Sequence, residues 1–142
     1  MKVARSATFQ NIISAYRLRN KRVLDVGCSY GEHLVYFGTG SVGLTITEPE
    51  LVFGKEKGLD IRHGNIEASD YKLNEKFNAI FANNIFEHLF SPHYFLYRAR
   101  QLLREDGVLI LGVPCVPTVA PLMRFRKWRG ALSLPHINFF TG

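Results

Sequence analysis

Cysteine is scarce in this chain: there are two, Cys28 and Cys115, in 142 residues. Two thiols do not make the disulfide framework of a small secreted domain, and they fit the reduced, buried side chains of an intracellular protein. Long apolar runs are missing too. The longest, around Val108 to Val116, is far too short to cross a bilayer. Met1 to Gln10 has no apolar core of the kind that marks a secretory signal. No membrane span is expected, and a cytoplasmic location is. Acidic residues are outnumbered, 12 against 18 basic, for a net charge of +6. The surplus is clustered: Arg17, Arg19, Lys21 and Arg22 lie together, as do Arg124, Arg126, Lys127 and Arg129. Such clusters are ordinarily solvated faces; the sharper alternative is attraction to an anionic small molecule. No nucleic-acid-binding module accompanies them, so nucleic acid is not the expected partner.

What is present suits one globular domain. With 46% hydrophobic and 21% charged residues the chain can bury a core, and it has neither repeats nor low-complexity tracts. Ala7 to Arg19 carries Phe9, Ile12, Ile13 and Tyr16 at helical spacing. Arg22–Val26 reads as a first strand, followed by a helix from Glu32 to about Phe37. Val42–Ile46 reads as a second strand. Thr47-Glu48-Pro49-Glu50 then forms a capping box with proline in the first turn, and Gly58 ends that helix. Leu59–His63 and Phe77–Ala82 follow as strands. Ser91-Pro92 caps a helix whose stripe Phe95, Leu96, Ala99, Leu102 and Leu103 is expected on the sheet. Glu105-Asp106-Gly107 turns the chain into a fifth strand, Val108–Val113. Apolar strands alternating with helices predict an α/β protein with a parallel sheet covered on both faces.

The most informative stretch runs from Arg22 to Glu32. Three apolar residues, an acid and then small residues at alternate positions make a buried strand entering a tight turn, where a ligand can lie against bare backbone. A dinucleotide site wants G-x-G-x-x-G, but Ser29 stands at the second glycine and Glu32 at the third, where its carboxylate repels phosphate. A hydrolase elbow wants G-x-S-x-G, which Gly27 to Gly31 matches, yet it needs several strands upstream and 21 residues precede Arg22. A cofactor without phosphate tolerates Glu32. A glycine-rich turn with no ligand is the plain alternative.

The spacing Asp25-x-Gly27-x-Ser29-x-Gly31 resembles the first motif of class I S-adenosylmethionine-dependent methyltransferases. Lys76 to Ile80, Asn84 to Leu89 and Leu103 to Pro114 resemble the segments F-D-x-V, x-V-L-E-H-L and R-x-L-K-P-G-G-x-L-x-x-x-x-P of the ubiquinone-biosynthesis-like subfamilies (types 11 and 23). His136 to Thr141 resembles their H-x-x-F-F-T. Each motif is weak alone; their order and spacing over Arg22 to Thr141 are strong. The resemblance implies a doubly wound, Rossmann-like sheet of order 3-2-1-4-5, with the ligand crevice where the connections diverge between strands 1 and 4. The family's sheet runs 3-2-1-4-5-7-6, so its last two strands are expected to be missing here, leaving strand 5 as an apolar edge through which the chain self-associates. Within a single domain, residues 1–142, this divides the chain into an N-terminal helix (1–21), a cofactor-binding core (22–114) and a basic, aromatic lid on the acceptor side (115–142).

The resemblance also implies S-adenosylmethionine as cofactor and a small-molecule acceptor (a sugar, lipid or quinone-type metabolite, an anionic one suiting the charge). The alternative is a non-catalytic fragment that only binds adenosylmethionine. Gly27, Cys28, Ser29 and Gly31 would pass beneath the methionine part, and Asp25 would orient its ammonium group or brace the turn. Thr45 stands where an acid receives the ribose hydroxyls, and Glu48 either takes over or serves as a favourable charge in the first helical turn. Asn65 would accept from the adenine amino group, Ile66 would cover the ring, and Asn83 would sit near the sulfonium. His88 is the candidate general base, or else bonds a backbone carbonyl, and His136 is a second. Some relatives bind a divalent cation through E-x-x-E-H; Asn84 replaces the first acid, so no metal is expected.

Overall fold

Val23, Leu24, Asp25 and Val26 form β1, and all four are buried because parallel strands flank them on both sides. The computed structural model describes residues 7–114. β2 (Val42–Thr45) and β4 (Phe77–Asn83) pair with β1, Leu24 lying opposite both Val42 and Ile80. β3 (Ile61–His63) extends the sheet beyond β2, and β5 (Leu103–Gly112) extends it beyond β4. The order is β3-β2-β1-β4-β5, every pair parallel, as expected. The chain builds outward from β1 through β2 to β3, then returns to lay β4 and β5 on the other side. That reversal opens a crevice at the carboxyl ends of the central strands.

Alternation along β1 feeds two cores. Val23 faces α1 (Ala7–Ala15), packing with Phe9, Ile13, Leu18, Phe37 and Phe81. Leu24 and Val26 face α3 (Pro92–Leu102), packing with Phe95, Ala99, Leu102 and Ile80. A third helix, α2 (Glu48–Lys57), links β2 to β3 and ends at Gly58, whose φ of 67° lets its N–H reach Gly54 O and Lys55 O.

Several local expectations fail for physical reasons. α1 stops at Ala15; Arg17 turns left-handed at φ 52°, and fully buried Leu18 is the anchor instead of Tyr16, which is 44% exposed. The expected helix after β1 is only a 3₁₀ turn, Leu34–Tyr36. Six residues between Gly31 and Gly38 are too few to repay helix nucleation, and a 3₁₀ turn is enough to bury Leu34 and Phe37. Thr47 and Ser91 stand at N-cap positions, but neither side chain caps its helix. Leu96 is 41% exposed, outside the buried stripe of α3. β5 begins at Leu103 opposite Phe77, and pairing resumes at Val108 opposite Ala79. The expected turn Glu105-Asp106-Gly107 is therefore a bulge within the strand.

Candidate functional site

Three residues of the turn after β1 sit in the left-handed region: Gly27 at φ 69°, Ser29 at 50° and Gly31 at 74°. The N–H groups of Gly27 and Cys28 donate to Leu44 O at 2.9 and 3.0 Å, hooking the turn onto β2. A Cβ on Gly27 would collide with the Ile85 side chain. A Cβ on Gly31 would lie 2.8 Å from Leu59 Cδ1 and 3.1 Å from Ile61 Cδ1. Glycine is thus required at both places, at Gly27 by the loop after β4 and at Gly31 by packing around β3.

Beside this turn lies a cavity of about 400 Å³. Val26, Gly27 and Ser29 line it from β1, and Leu44, Thr45, Ile46 and Glu50 from β2 and α2. Gly64, Asn65, Ile66 and Glu67 follow β3 into its wall, and Ile85, His88, Leu89 and Phe90 follow β4. The wall is mostly apolar. Among the described residues its two formally charged side chains are the carboxylates of Glu50 and Glu67, and no described Lys or Arg lines it.

Several polar groups on the wall are anchored. Thr45, 5% exposed, donates its hydroxyl to Glu50 Oε2 and accepts from the Thr47 N–H at 3.2 Å. Asn65 Oδ1 accepts from the Glu67 N–H at 2.9 Å, fixing the turn that buries Ile66. Glu67 reaches across to α3, accepting from the N–H of Ser91 at 2.5 Å and of Phe90 at 3.3 Å. This carboxylate, not Ser91, caps α3, and it ties the loop after β3 to the loop after β4. His88 is partly exposed, its Nε2 3.8 Å from Oε1 of the buried Glu87.

The cavity gathers Gly27, Ser29, Thr45, Asn65, Ile66 and His88 among the expected site residues. It does not gather the others. Asp25 shares the face of Val23, and its Oδ2 lies 3.6 Å from His33 Nδ1 in the α1 core. Cys28 is buried against Gly43, and burial, reinforced by the charges of Asp25 and Glu50, pushes its thiol far up, which makes it inert. Gly31 packs on Leu59 and Ile61. Glu48 is exposed on α2 and does not line the cavity. Asn83 packs its amide over Gly112. His136 lies outside the described residues.

The cavity adds two carboxylates that the motifs do not mark, Glu50 and Glu67. Glu50 was legible as an acid within one turn of the end of β2, although the capping box gave it a different task. No local signal pointed to Glu67.

Of the first basic cluster, Arg22 is committed elsewhere. It pairs with Glu75 and stacks on Phe77 at 4.8 Å, next to the amino end of β1 and away from the cavity. Arg124 to Arg129 lie outside the described residues. Among the described residues, no three His, Cys, Asp or Glu side chains are grouped to hold a metal ion, and no helix is long and apolar enough to cross a membrane.

Comparison with known proteins matches residues 4–142 to the methyltransferase domain family. The ubiquinone biosynthesis O-methyltransferase of Haemophilus ducreyi is 33% identical over 108 residues, covering 67% of this chain and 46% of that protein, so the chain spans about half of that relative's length. Among solved structures, YcgJ protein from Bacillus subtilis superposes with a TM-score of 0.72 at 19% identity, covering 93% of this chain and 61% of that one. SAM-bound CalS10, an amino pentose methyltransferase from Micromonospora echinaspora, gives 0.62 at 25% identity, covering 76% and 49%.

Proposed function

The chain belongs to the methyltransferase domain family, and from that premise we propose that it binds S-adenosylmethionine in the cavity and transfers the methyl group to a small-molecule acceptor. The observation that carries this is the charge of the wall: among the described residues it has two carboxylates and no lysine or arginine. A pyrophosphate would meet only like charge there, whereas a cationic nucleoside without phosphate meets attraction. The SAM bound to CalS10, on the same fold, supports the choice of cofactor.

In this proposal Gly27 and Ser29 run beneath the methionine part, Thr45 stands on the ribose side, and Asn65 and Ile66 take the adenine. The more distant residues act through the frame. Cys28 and Gly31 shape the turn, Asp25 braces it from behind, Glu48 favours the start of α2, and Asn83 holds the end of β4 beneath the methyl-transfer position. S-adenosylmethionine, when bound, supplies an electrophilic methyl on a sulfonium, so the protein's contribution is chiefly alignment. His88, on the cavity wall, takes a proton from a hydroxyl acceptor; His136 is the second candidate.

The proposal extends to residues 1–21 as an N-terminal segment that carries α1, 22–114 as the cofactor core and 115–142 as an acceptor lid. The arginines at 124, 126 and 129 favour an anionic acceptor, and a cytoplasmic location suits the two reduced thiols. β5 pairs on one side only among the described residues, with Leu111 36% exposed, which supports self-association along that edge.

Ultraviolet crosslinking of methyl-labelled S-adenosylmethionine tests this. The expected result is label on a peptide from the cavity wall, displaced by adenosylhomocysteine and not by NAD. Label that NAD displaces and adenosylhomocysteine does not would overturn it.

A further inference from the structure

The loop after β3 is folded tightly on itself. Gly64 donates its N–H to Thr45 O at 2.9 Å, Ala68 to Asn65 O at 3.0 Å, and Glu67 to Asn65 Oδ1 at 2.9 Å. A carbonyl oxygen has two lone pairs, so Asn65 Oδ1 can take a second donor while it fixes Glu67. The Glu67 carboxylate then reaches across 23 and 24 residues of chain to the N–H groups of Phe90 and Ser91. Those amides follow the 3₁₀ turn Phe86–His88, in which His88 donates its own N–H to Ile85 O at 2.9 Å. One side chain therefore joins the adenine-side loop to the loop that carries His88.

Both bonds of this tie are solvent-exposed, and such bonds open at low free-energy cost. Open, the tie frees the segment 88–91 from the loop after β3. Closed, it fixes His88 and the Phe90 ring, which is 90% exposed, on the cavity wall. An adenine amino group that donates to Asn65 Oδ1 holds the same atom that orients Glu67, and so favours the closed state. We propose that Glu67 is a positioning residue: it passes occupancy of the adenine side to the loop that bears His88, and so sets the acceptor side of the site once the cofactor is bound. The inference rests on the adenosylmethionine reading above and adds a coupling between two walls of the cavity. Such coupling is reciprocal: the factor by which adenine favours the closed state is the factor by which the closed state favours adenine.

Adenosine, which has the base and the ribose but no methionine part, is the probe. Amide exchange and the His88 imidazole resonances are followed by NMR in wild type, Glu67→Gln and Glu67→Ala, with and without saturating adenosine, and affinities by calorimetry. In wild type, adenosine is expected to slow exchange at Phe90 and Ser91 by about fivefold or more and to shift the His88 resonances. In Glu67→Ala the slowing and the shift are lost, and adenosine binds more weakly by a similar factor. Glu67→Gln keeps one acceptor oxygen and is expected to fall between the two; it carries the same comparison where Glu67→Ala does not fold. A carboxylate that only caps α3 gives a different result. If adenosylhomocysteine binds wild type while adenosine leaves the two amides and His88 unmoved, the coupling is overturned alone. Slowing and shift that persist in Glu67→Ala mark direct contact with the ligand and overturn it too. A wild type that binds neither adenosine nor adenosylhomocysteine overturns the adenosylmethionine reading and this inference with it.

Discussion

His33 Nδ1 lies 3.6 Å from Asp25 Oδ2, and its imidazole is held between the rings of Phe9 and Phe81, with centroids at 4.6 and 5.0 Å. This pair braces the turn after β1 from the α1 side of the sheet, behind the cavity. Burial pushes the Asp25 carboxyl above its ordinary value, with His33 pulling it partly back. The native chain therefore holds that proton more tightly than the unfolded chain. Ionising Asp25 costs stability as the pH rises from the ordinary carboxylate value, about 4, through the native one. Asp25→Asn should stabilise the fold at neutral pH, and the gain should vanish below about pH 4. Urea denaturation of both proteins across that range checks this; a less stable variant at neutral pH contradicts it.

Ser29 carries a left-handed φ of 50° with a side chain attached. That conformation costs a non-glycine residue roughly 1–2 kcal/mol. Ser29→Gly should relieve most of it, offset in part by the greater freedom of glycine in the unfolded chain. The expected gain is about 1 kcal/mol, read as a higher denaturation midpoint. A lower midpoint would show that the serine side chain supports the turn.

Gly31 combines φ 74° with neighbours 2.8 and 3.1 Å from any added Cβ. Gly31→Ala should destabilise the fold by about 1–3 kcal/mol. Because Gly31 faces Leu59 and Ile61 rather than the cavity, the folded variant should bind adenosylhomocysteine as wild type does. Full stability with weakened binding would put Gly31 in the ligand's path.

Removing Glu67 uncaps α3. Glu67→Ala should cost about 1 kcal/mol, the usual effect of losing a helix cap. Amide exchange should quicken at Phe90 and Ser91, whose N–H groups the carboxylate accepts. Unchanged protection at those two amides would remove the cap and the link between the two loops.

Sheet order was legible because β1, β2 and β4 are mostly apolar and because the spacing of the turn is matched by the later motifs. Positions were harder. Asp25 looks like a ligand residue in the motif, but period-two alternation already puts it on the face of Val23, opposite Leu24 and Val26. Glu50 fits half of a capping box, a local pattern that the Thr45 hydroxyl outcompetes. Glu67 was not legible, since Ser91-Pro92 offers a sufficient local cap and the real one comes from 24 residues away. The failed helix after β1 shows apolar spacing without the length that would make it cooperative.

Calorimetric titration of the chain with adenosylhomocysteine, with NAD as the parallel ligand, addresses the central claim most directly. The wall, which among the described residues carries two carboxylates and no arginine, predicts saturable one-to-one binding of adenosylhomocysteine and no heat from NAD. Saturable binding of NAD with none of adenosylhomocysteine would contradict the account.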